Sequence, residues 1–373
     1  TLGLTVAAAL SFAVGAAIDR GHGRVVMTIG PLLGALGFSL WALASSVALL
    51  YSAWVVLGVA IGGTLWWAVI SLWALASSVA LLYASWAVLG VAMAMTLYEP
   101  AFTIVTRLYP GRYKDAVTAI TLVGGFASTL CFPSVALLQA QWGWRGALWF
   151  IAAVLVAIAV VHAWVLAGES IAPVPHAEQV VANAAQDATL GEAFAGRAFW
   201  ALTLNFASYS FVAGALWAHM APALAAKGLS SADALTVLVC IGPAQVAGRL
   251  VFALLGRRFD LRHLGMATLA GMPLGCLLFA LGQSLAALLL FALLFGMANG
   301  VSTLVRGGLL PDYFGRAALG RIGGAMSGIA QFARAFAPLA SAWLFIGLPS
   351  YRELVLAMAG VGALGWLGFV FAG

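Results

Sequence analysis

Long apolar runs follow one another along almost the whole chain, and short polar segments separate them. Many runs hold about 20 residues, the length that an α-helix needs to cross a bilayer without unpaired backbone groups. Their apolar positions are continuous rather than alternating, which favours helices over the strands of a barrel. We therefore predict an all-α membrane protein with about 12 transmembrane helices. The runs fall at 2–18, 25–44, 47–66, 79–106, 116–139, 146–167, 198–225, 232–255, 264–283, 285–306, 322–345 and 350–372.

The composition of the chain agrees with this pattern. Its 373 residues are 64% hydrophobic and 8% charged, whereas soluble domains are near half apolar and about a quarter charged. The net charge of +6 does not indicate nucleic acid binding, because the basic residues are scattered among loops. The three cysteines lie in apolar segments and are expected to be packing residues. No nucleophile triad, phosphate-binding loop or metal-ligand cluster is found in the sequence, so we expect no enzyme activity, metal or other cofactor.

One long polar segment, 168–197, interrupts the apolar pattern and predicts a linker between a helical half at 1–167 and another at 198–373. Lysine and arginine concentrate in cytoplasmic loops. If this linker and the loop at 19–24 are cytoplasmic, that side carries eleven lysines and arginines and the other side carries three. We therefore predict a multi-pass protein of the plasma membrane (a bacterial inner membrane) with a cytoplasmic linker, and we expect a monomer.

A diffuse internal repeat relates the two predicted halves. The segment GRYKDAVTAITLVGGFASTLCFPSVALL from Gly111 parallels GRAALGRIGGAMSGIAQFARAFAPLASAWL from Gly315. Each begins with a basic loop, continues as a glycine-rich helix and carries a proline at a similar depth. Transporters built from two similar halves show such weak symmetry, with the substrate site between the halves. The repeat therefore favours a bundle of two pseudo-symmetric halves.

A second repeat is nearly exact, because residues 39–66 recur at 71–98 as SLWALASSVALLY followed by similar residues. An additional span between Arg24 and Arg107 would place the loop after Arg107 on the side that the charge bias disfavours. We interpret the repeat as a recent tandem duplication or an error of sequence assembly. No functional role is expected for the inserted copy.

The loop after the first apolar run reads Gly15-Ala-Ala-Ile-Asp19-Arg20-Gly21-His22-Gly23-Arg24. It resembles the signature loop of the major facilitator superfamily, G-x-x-x-D-R-x-G-R, with one extra residue before the second glycine. The glycines permit a tight turn, and Asp19 near a helix end can pair with basic neighbours and latch adjacent helices. The alternative interpretation is an ordinary polar turn. The signature residues are Gly15, Asp19, Arg20, Gly23 and Arg24.

The resemblance implies a major facilitator bundle in which this loop follows the second family helix, so we expect the first family helix to be missing. A degenerate copy of the loop, Gly256-Arg257-Arg258-Phe259-Asp260, lies in the second half. Three further segments are similar to the branch of monocarboxylate transporters and oxalate–formate antiporters. They are Gly143-Trp144-Arg145-Gly146-Ala147, His219-Met-Ala-Pro222 with the following Gly228-Leu-Ser, and Leu310-Pro311-Asp312-Tyr313-Phe314-Gly315.

Two arginines lie deep within apolar segments, where a charge is costly and usually lines a cavity. Arg334 lies thirteen residues beyond Arg321, roughly 20 Å along a helix, and is expected near the midplane. Arg249 lies about 12 Å from its helix end. With Gln245 it resembles the Asp-x-x-x-Arg pair of animal monocarboxylate transporters, which implies that Arg249 binds the substrate carboxylate. The glutamine cannot carry a proton as the acid would, and Arg249 could instead snorkel to the interface.

Glu99 and Arg306 are further ionisable residues within apolar segments. Glu99 is a candidate proton carrier, and the alternative is a structural ion pair with a buried arginine such as Arg249 or Arg306. Arg306 lies five residues before Pro311, so it is either a site residue or an interface residue. The two interpretations stay open for both side chains.

Three uncharged or weakly basic groups, Asn205, Tyr209 and His219, add polarity to the predicted seventh family helix. Asn205 and Tyr209 are candidate substrate contacts, and His219 is a weaker candidate near the outer interface. Such a residue in a membrane helix often only bonds a neighbouring helix.

Three arginines against one acid would make the cavity positive, which suits an anion, and arginine binds carboxylates with two parallel hydrogen bonds. We therefore expect a secondary transporter that moves a small organic anion, most simply a monocarboxylate, by alternating access with proton symport or by antiport. Its partners would be this substrate, protons and the bilayer. The alternatives are a proton-coupled exporter of drugs or other apolar compounds, and a non-transporting or defective membrane protein.

Overall fold

The structure, a computed structural model, describes residues 2–43, 94–95, 98–109, 111–125, 127–166, 187–255 and 258–372. These ranges hold thirteen helices and, within them, no strand. The helices are α1 Leu2–Asp19, α2 Gly23–Leu43, α3 Tyr98–Leu108, α4 Tyr113–Gly125, α5 Ala127–Val165, α6 Leu190–Ala195, α7 Arg197–Ala226, α8 Ser231–Leu255, α9 Leu261–Leu269, α10 Gly271–Leu281, α11 Leu285–Phe314, α12 Leu319–Ile346 and α13 Tyr351–Val370.

Six helical segments among the described residues are long and apolar enough to cross a membrane. They correspond to α7, α8, the consecutive pair α9 and α10, α11, α12 and α13. Shorter apolar helices lie at Ala7–Asp19, Gly23–Leu33 and Trp149–Val165. The predicted all-α membrane fold is therefore confirmed.

Two glycines end or interrupt helices through left-handed backbone, which side chains rarely adopt. Gly143, with φ 68° and ψ 174°, divides the helical stretch of α5 between two apolar runs. Gly315, with φ 69°, ends α11. Both belong to segments on which the family resemblance rests, so these motifs mark chain reversals or breaks.

Polar side chains cap several helix starts. At α6 the Thr189 hydroxyl accepts from the Glu192 backbone N–H, and the Glu192 carboxylate accepts from the Thr189 N–H at 2.7 Å. Hydrogen bonds from the Thr189 backbone N–H and hydroxyl lower the pKa of the Glu192 carboxyl group. This capped helix lies near the end of the predicted linker 168–197, most of which lies outside the described residues. Most of both copies of the near-exact repeat, and Arg257 of the degenerate loop, also lie outside them.

The chain forms two compact units that each combine distant parts of the sequence. Unit 1 comprises Thr1–Leu108, Cys131–Asp187 and Arg316–Gly328, and unit 2 comprises Tyr109–Leu130, Ala188–Gly315 and Ile329–Gly373. Each unit thus contains helices from before and after the predicted linker. The pseudo-symmetric halves at 1–167 and 198–373 stay a prediction from the sequence repeat.

The core of unit 2 depends on glycines that let helices α8 and α11 approach closely. A Cβ atom added at Gly248 would lie 2.7 Å from the Met297 Cα, and one at Gly296 would lie 2.6 Å from the Ala244 Cβ. Stacked rings of Phe279 and Phe291, with centroids 4.6 Å apart, fill the space beside α11. Small residues at such positions stabilise membrane helices by close packing.

Unit 1 has a smaller apolar core among α1, α2 and α3. It contains Ile18, Leu33 and Ile104, together with Met95 and Leu166. Ile18 and Leu33 are fully buried. This packing holds the end of α1, and therefore Asp19 of the signature loop, against α3.

Candidate functional site

The signature loop positions Asp19 at the junction of three helices of unit 1. Its carboxylate accepts hydrogen bonds from the backbone N–H groups of Gly320 and Arg321, at 3.0 and 2.9 Å. These amides belong to the first turn of α12, where N–H groups lack intrahelical partners and the helix dipole favours a negative charge. The same carboxylate forms an ion pair with Arg107 of α3. Asp19 therefore links α1, α3 and α12.

The backbones of α1 and α12 approach closely at the same place. A Cβ atom at Gly15 would overlap with the Gly320 carbonyl group, and one at Gly324 would lie 2.5 Å from the Ser11 carbonyl oxygen. Only glycine allows this approach. Of the other signature residues, Gly23 is buried at the start of α2, and Arg20 and Arg24 are exposed.

Glu99 lies in the first turn of α3, also in unit 1. Its Oε1 atom accepts a hydrogen bond from the Ser327 hydroxyl of α12 at 2.6 Å, and Ser327 is 1% exposed. Its backbone carbonyl accepts from the Thr103 hydroxyl. The proton-coupling role of Glu99 stays a prediction.

In unit 2, Arg249 lies among α4, α8 and α11 and is 5% exposed. Its Nη1 atom donates to the Thr121 carbonyl oxygen at 2.9 Å, and its Nε atom donates to the Gly300 carbonyl oxygen at 3.2 Å. The guanidinium group is thus held inside the helix packing and bridges three helices. We call this arrangement the Arg249 bridge.

Two other predicted contacts lie between helices of unit 2. Asn205 of α7 is 4% exposed, and its Nδ2 atom donates to the Gly365 carbonyl oxygen of α13 at 2.9 Å. Gln245 of α8 is half-buried, and its backbone meets α11 at Gly300. The amide of Asn205 therefore joins two helices in this structure.

A polar cluster forms where α7, α11 and α12 meet in unit 2. The Tyr209 hydroxyl donates to the Asn299 Oδ1 atom, and the Ser302 hydroxyl donates to the Asn299 backbone carbonyl oxygen, both at 3.1 Å. Arg334 interacts electrostatically with Tyr209 and with Arg306. We call these five residues the arginine cluster.

Three residues of the arginine cluster lie on one face of α11. Asn299, Ser302 and Arg306 follow one another at i, i+3 and i+7 on α11, a spacing that places them on the same face over about 10 Å. The Arg306 guanidinium lies 4.7 Å from the centroid of the buried Phe206 ring, a cation–π contact that fixes its position.

Arg334 of α12 packs against Gly214 of α7. A Cβ atom at Gly214 would lie 3.0 Å from the Arg334 carbonyl oxygen and 3.4 Å from its Cγ atom. The Arg334 side chain is exposed, and Asn299, Ser302 and Arg306 are half-buried. The cluster thus contains two guanidinium groups and the hydroxyl groups of Tyr209 and Ser302, and its side chains are partly exposed. No acidic residue occurs in the α7 or α12 sequence.

His219 lies apart from the cluster, near the end of α7. Its Nε2 atom is 3.0 Å from the Ser341 Oγ atom of α12. The rings of Phe345 and Tyr351 lie 6.2 and 6.0 Å from the imidazole ring. The structure therefore places His219 in an aromatic environment between α7, α12 and the start of α13.

Sequence reasoning missed several residues that the structure brings to these sites. Asn299 and Ser302 carry no charge, and polar groups of this kind are common in membrane helices. The sequence signal that could have found them is their i, i+3 spacing, which places them on the same helix face as Arg306. Another polar contact lies at the end of α11, where Asp312 accepts from the Tyr113 hydroxyl and from Lys114 Nζ at 2.7 Å.

Membrane-spanning helices that hold a charged cluster in their midst are typical of a membrane transporter. The chain belongs to the Major Facilitator Superfamily, whose sequence profile matches residues 59–262, more than half of its length. It is therefore a multi-pass membrane protein of a transporter superfamily. A search among curated proteins found no match to the chain.

Solved structures share its fold at low sequence identity. A variant of the fucose:proton symporter of E. coli superposes with a TM-score of 0.68 at 14% identity, over 98% of this chain and 87% of the other. The human organic anion transporter MFSD10 gives 0.68 at 16% identity, over 99% and 82%. A bacterial homologue of the iron transporter ferroportin, in an outward-facing state, gives 0.68 at 15% identity, over 100% and 88%.

Proposed function

We propose that the protein moves a small organic anion across the membrane by alternating access. The arginine cluster is the observation that carries this proposal. Two guanidinium groups on α11 and α12 lie within electrostatic range of each other, beside hydrogen-bonding groups of Tyr209 and Asn299. Like charges repel in a medium of low dielectric constant, and an anion between them would relieve that repulsion.

The substrate class follows from the geometry of the groups. A guanidinium group binds a carboxylate with two parallel hydrogen bonds, and a tyrosine hydroxyl and an amide can fix the rest of a small molecule. A monocarboxylate fits Arg334, which is exposed, while Arg306 is held against Phe206. The shared fold does not determine the substrate, because the solved structures with this fold are of proteins named for different substrates.

Arg249 has a different part in this proposal. Its donors bind the backbone carbonyl groups of Thr121 and Gly300, so in this conformation it joins helices. Binding of the carboxylate by Arg249 would require the bridge to open during transport. Glu99 would take up and release the coupling proton, and exchange of one anion for another is the alternative mode of coupling.

Uptake by proteoliposomes tests the proposal. Purified protein is reconstituted, and uptake of labelled lactate, formate and oxalate is measured with and without a proton gradient. Losing a charge-assisted hydrogen bond costs about 1.5–3 kcal/mol, so Arg334→Ala and Arg306→Ala should each weaken transport roughly tenfold or more. Arg334→Lys should restore part of it, because the charge returns without the two-pronged geometry.

Arg352→Ala is the matched control, because Arg352 is exposed at the start of α13 and should be replaceable without loss. Equal transport by wild type and Arg334→Ala would refute the proposal. Transport of amphiphilic cations that tolerates both arginine substitutions would favour the exporter of apolar compounds instead. Absence of transport, together with no thermal stabilisation by any carboxylate, would favour a non-transporting protein.

A further inference from the structure

One side of α3 in unit 1 carries a row of polar residues. Its members follow one another at i, i+4, i+7 and i+8, a spacing that places them on the same side of the helix over about 12 Å. They are Glu99, Thr103, Thr106 and Arg107, and we call them the polar row. Thr103 is 7% exposed and Thr106 is fully buried. Because Arg107 pairs with Asp19, the polar row runs from one carboxyl group to another.

Helices α1 and α12 pack against each other beside the polar row. At its two ends the row contacts α12, through Ser327, and α1, through Asp19. Between these contacts the backbones of α1 and α12 lie close together, since a Cβ atom at Gly324 would lie 2.5 Å from the Ser11 carbonyl oxygen and 3.0 Å from the Phe12 Cα atom. Together with the burial of the two threonines, this packing separates the middle of the polar row from bulk water.

Two atoms in the polar row are buried without a hydrogen-bond partner in the part of the chain that the structure describes. They are the Thr106 hydroxyl oxygen and the Arg107 Nε atom, and leaving such groups unpaired costs free energy. The Thr103 hydroxyl donates to the Glu99 backbone carbonyl oxygen at 2.9 Å, so its own oxygen can still accept.

The spacing of the two threonines suits a buried water molecule. Residues at i and i+3 of a helix lie about 5–6 Å apart, a gap that one water spans with two hydrogen bonds. A water molecule there has three polar partners, Thr103, Thr106 and Arg107, as is typical of buried water. Hydroxyl groups and water both donate and accept hydrogen bonds, so this chain of groups can pass a proton along.

We propose that Thr106, with a water molecule bound between it and Thr103, forms the route by which a proton passes between Glu99 and the signature loop. This route rests on the proposed function, in which Glu99 takes up and releases the coupling proton. Glu99 gives up its proton, and the water and each hydroxyl group accept one proton and pass on another, so they end unchanged. The proton reaches Asp19, whose Oδ2 atom accepts from the Arg321 N–H at 2.9 Å and has a further lone pair.

Thermal unfolding of Thr106→Val tests for the water molecule, because valine has the shape of threonine without the hydroxyl group. Removing an unpaired buried hydroxyl is neutral or stabilising, whereas removing a hydroxyl that holds a water leaves other groups unpaired. We therefore expect the unfolding midpoint to fall by about 2 °C. Thr203→Val is the matched control and should not lower the midpoint, because Thr203 is 3% exposed and its hydroxyl donates within its own helix to the Phe199 carbonyl oxygen. An unchanged or raised midpoint for Thr106→Val would overturn the proposal.

Transport separates the proton route from the substrate site. Proteoliposomes are assayed for uptake of labelled lactate, formate and oxalate driven by a proton gradient, and for exchange of the same anions at equal pH on both sides. Thr106→Val should slow proton-driven uptake about tenfold, since the moving proton loses a hydrogen-bonding group. Exchange should stay unchanged, because it needs no net release of the proton. Thr106→Ser, which keeps a hydroxyl group, should restore uptake, and Thr203→Val should match wild type in both assays.

The remaining outcomes distinguish this route from the proposed function. Unchanged proton-driven uptake by Thr106→Val would overturn the route, and so would an equal loss of uptake and exchange, which indicates structural damage. Exchange by wild type that does not respond to a proton gradient would also overturn it. If wild type transports none of the three anions, the proposed function fails, while the unfolding midpoints still decide whether Thr106 holds a water molecule.

Discussion

Removing the carboxylate of Asp19 should measurably release α12 from α1 and α3. The side chains of Asp19 and Arg107 are 5% and 4% exposed, so Asp19→Ala leaves a buried guanidinium without its acidic partner. Breaking a buried ion pair in this way costs about 3–5 kcal/mol. Arg107 keeps hydrogen bonds to the backbone oxygens of Ile18 and Asp19, so we expect the lower end, about 3 kcal/mol. Asp19→Asn keeps one amide acceptor and should cost about 2 kcal/mol.

A double-mutant cycle separates the ion pair from the helix cap. The free energy of unfolding is measured for wild type, Asp19→Ala, Arg107→Ala and the double variant in a denaturing detergent mixture, using the fluorescence of the 14 tryptophans. Arg24→Ala, at an exposed position of the same motif, is the control and should change little. A coupling energy below about 0.5 kcal/mol, the level of independent sites, would show that the pair does not hold these helices together.

Three further predictions concern other parts of the molecule. Arg249→Ala should lower the thermal unfolding midpoint, because two buried carbonyl groups lose a charged donor worth about 1.5–3 kcal/mol each, and Arg249→Lys should recover part of the loss. Gly248→Ala should lower the free energy of unfolding by about 1–3 kcal/mol, because the added methyl group overpacks against α11. Gly242→Ala on the same helix should leave that free energy unchanged, because nothing lies within 4 Å of its Cβ position. Thr189→Ala should raise the pKa of Glu192 towards its ordinary value, as a carboxyl ¹³C NMR titration would show. In wild type this cap weakens as the pH falls through the lowered pKa, because only the ionised carboxylate accepts both hydrogen bonds.

The fold class could be predicted from the sequence because it depends on a strong and repeated physical signal. Continuous apolar runs near bilayer length predict helices, because a helix satisfies its own backbone hydrogen bonds in lipid. The signature loop predicts the superfamily and marks Asp19 as a residue that links helices. The partners of Asp19 in α12 could not be predicted. Gly320 and Arg321 lie some 300 residues away, and no local spacing reports a contact over that separation.

The candidate site was only partly predictable, because the depth of a charge along a helix does not fix the direction of its side chain. Arg249 and Arg334 are both deep in apolar segments, yet the structure places Arg249 on backbone carbonyl groups and Arg334 beside Tyr209. The sequence allows two interpretations of Arg306, and the structure shows its guanidinium group against the Phe206 ring of α7, so its role in a site stays a prediction. Orientation depends on packing, which the one-dimensional pattern does not contain.

The Arg249 bridge has an evolutionary consequence. Its two acceptors are main-chain oxygens, so the contact at position 121 does not depend on which side chain stands there. Substitutions at position 121 can therefore accumulate without breaking the contact, and no compensating change at position 249 is needed. We therefore expect related sequences to keep arginine at position 249 and glycine at position 300, where a Cβ atom would overlap with the Gln245 carbonyl oxygen, while position 121 varies.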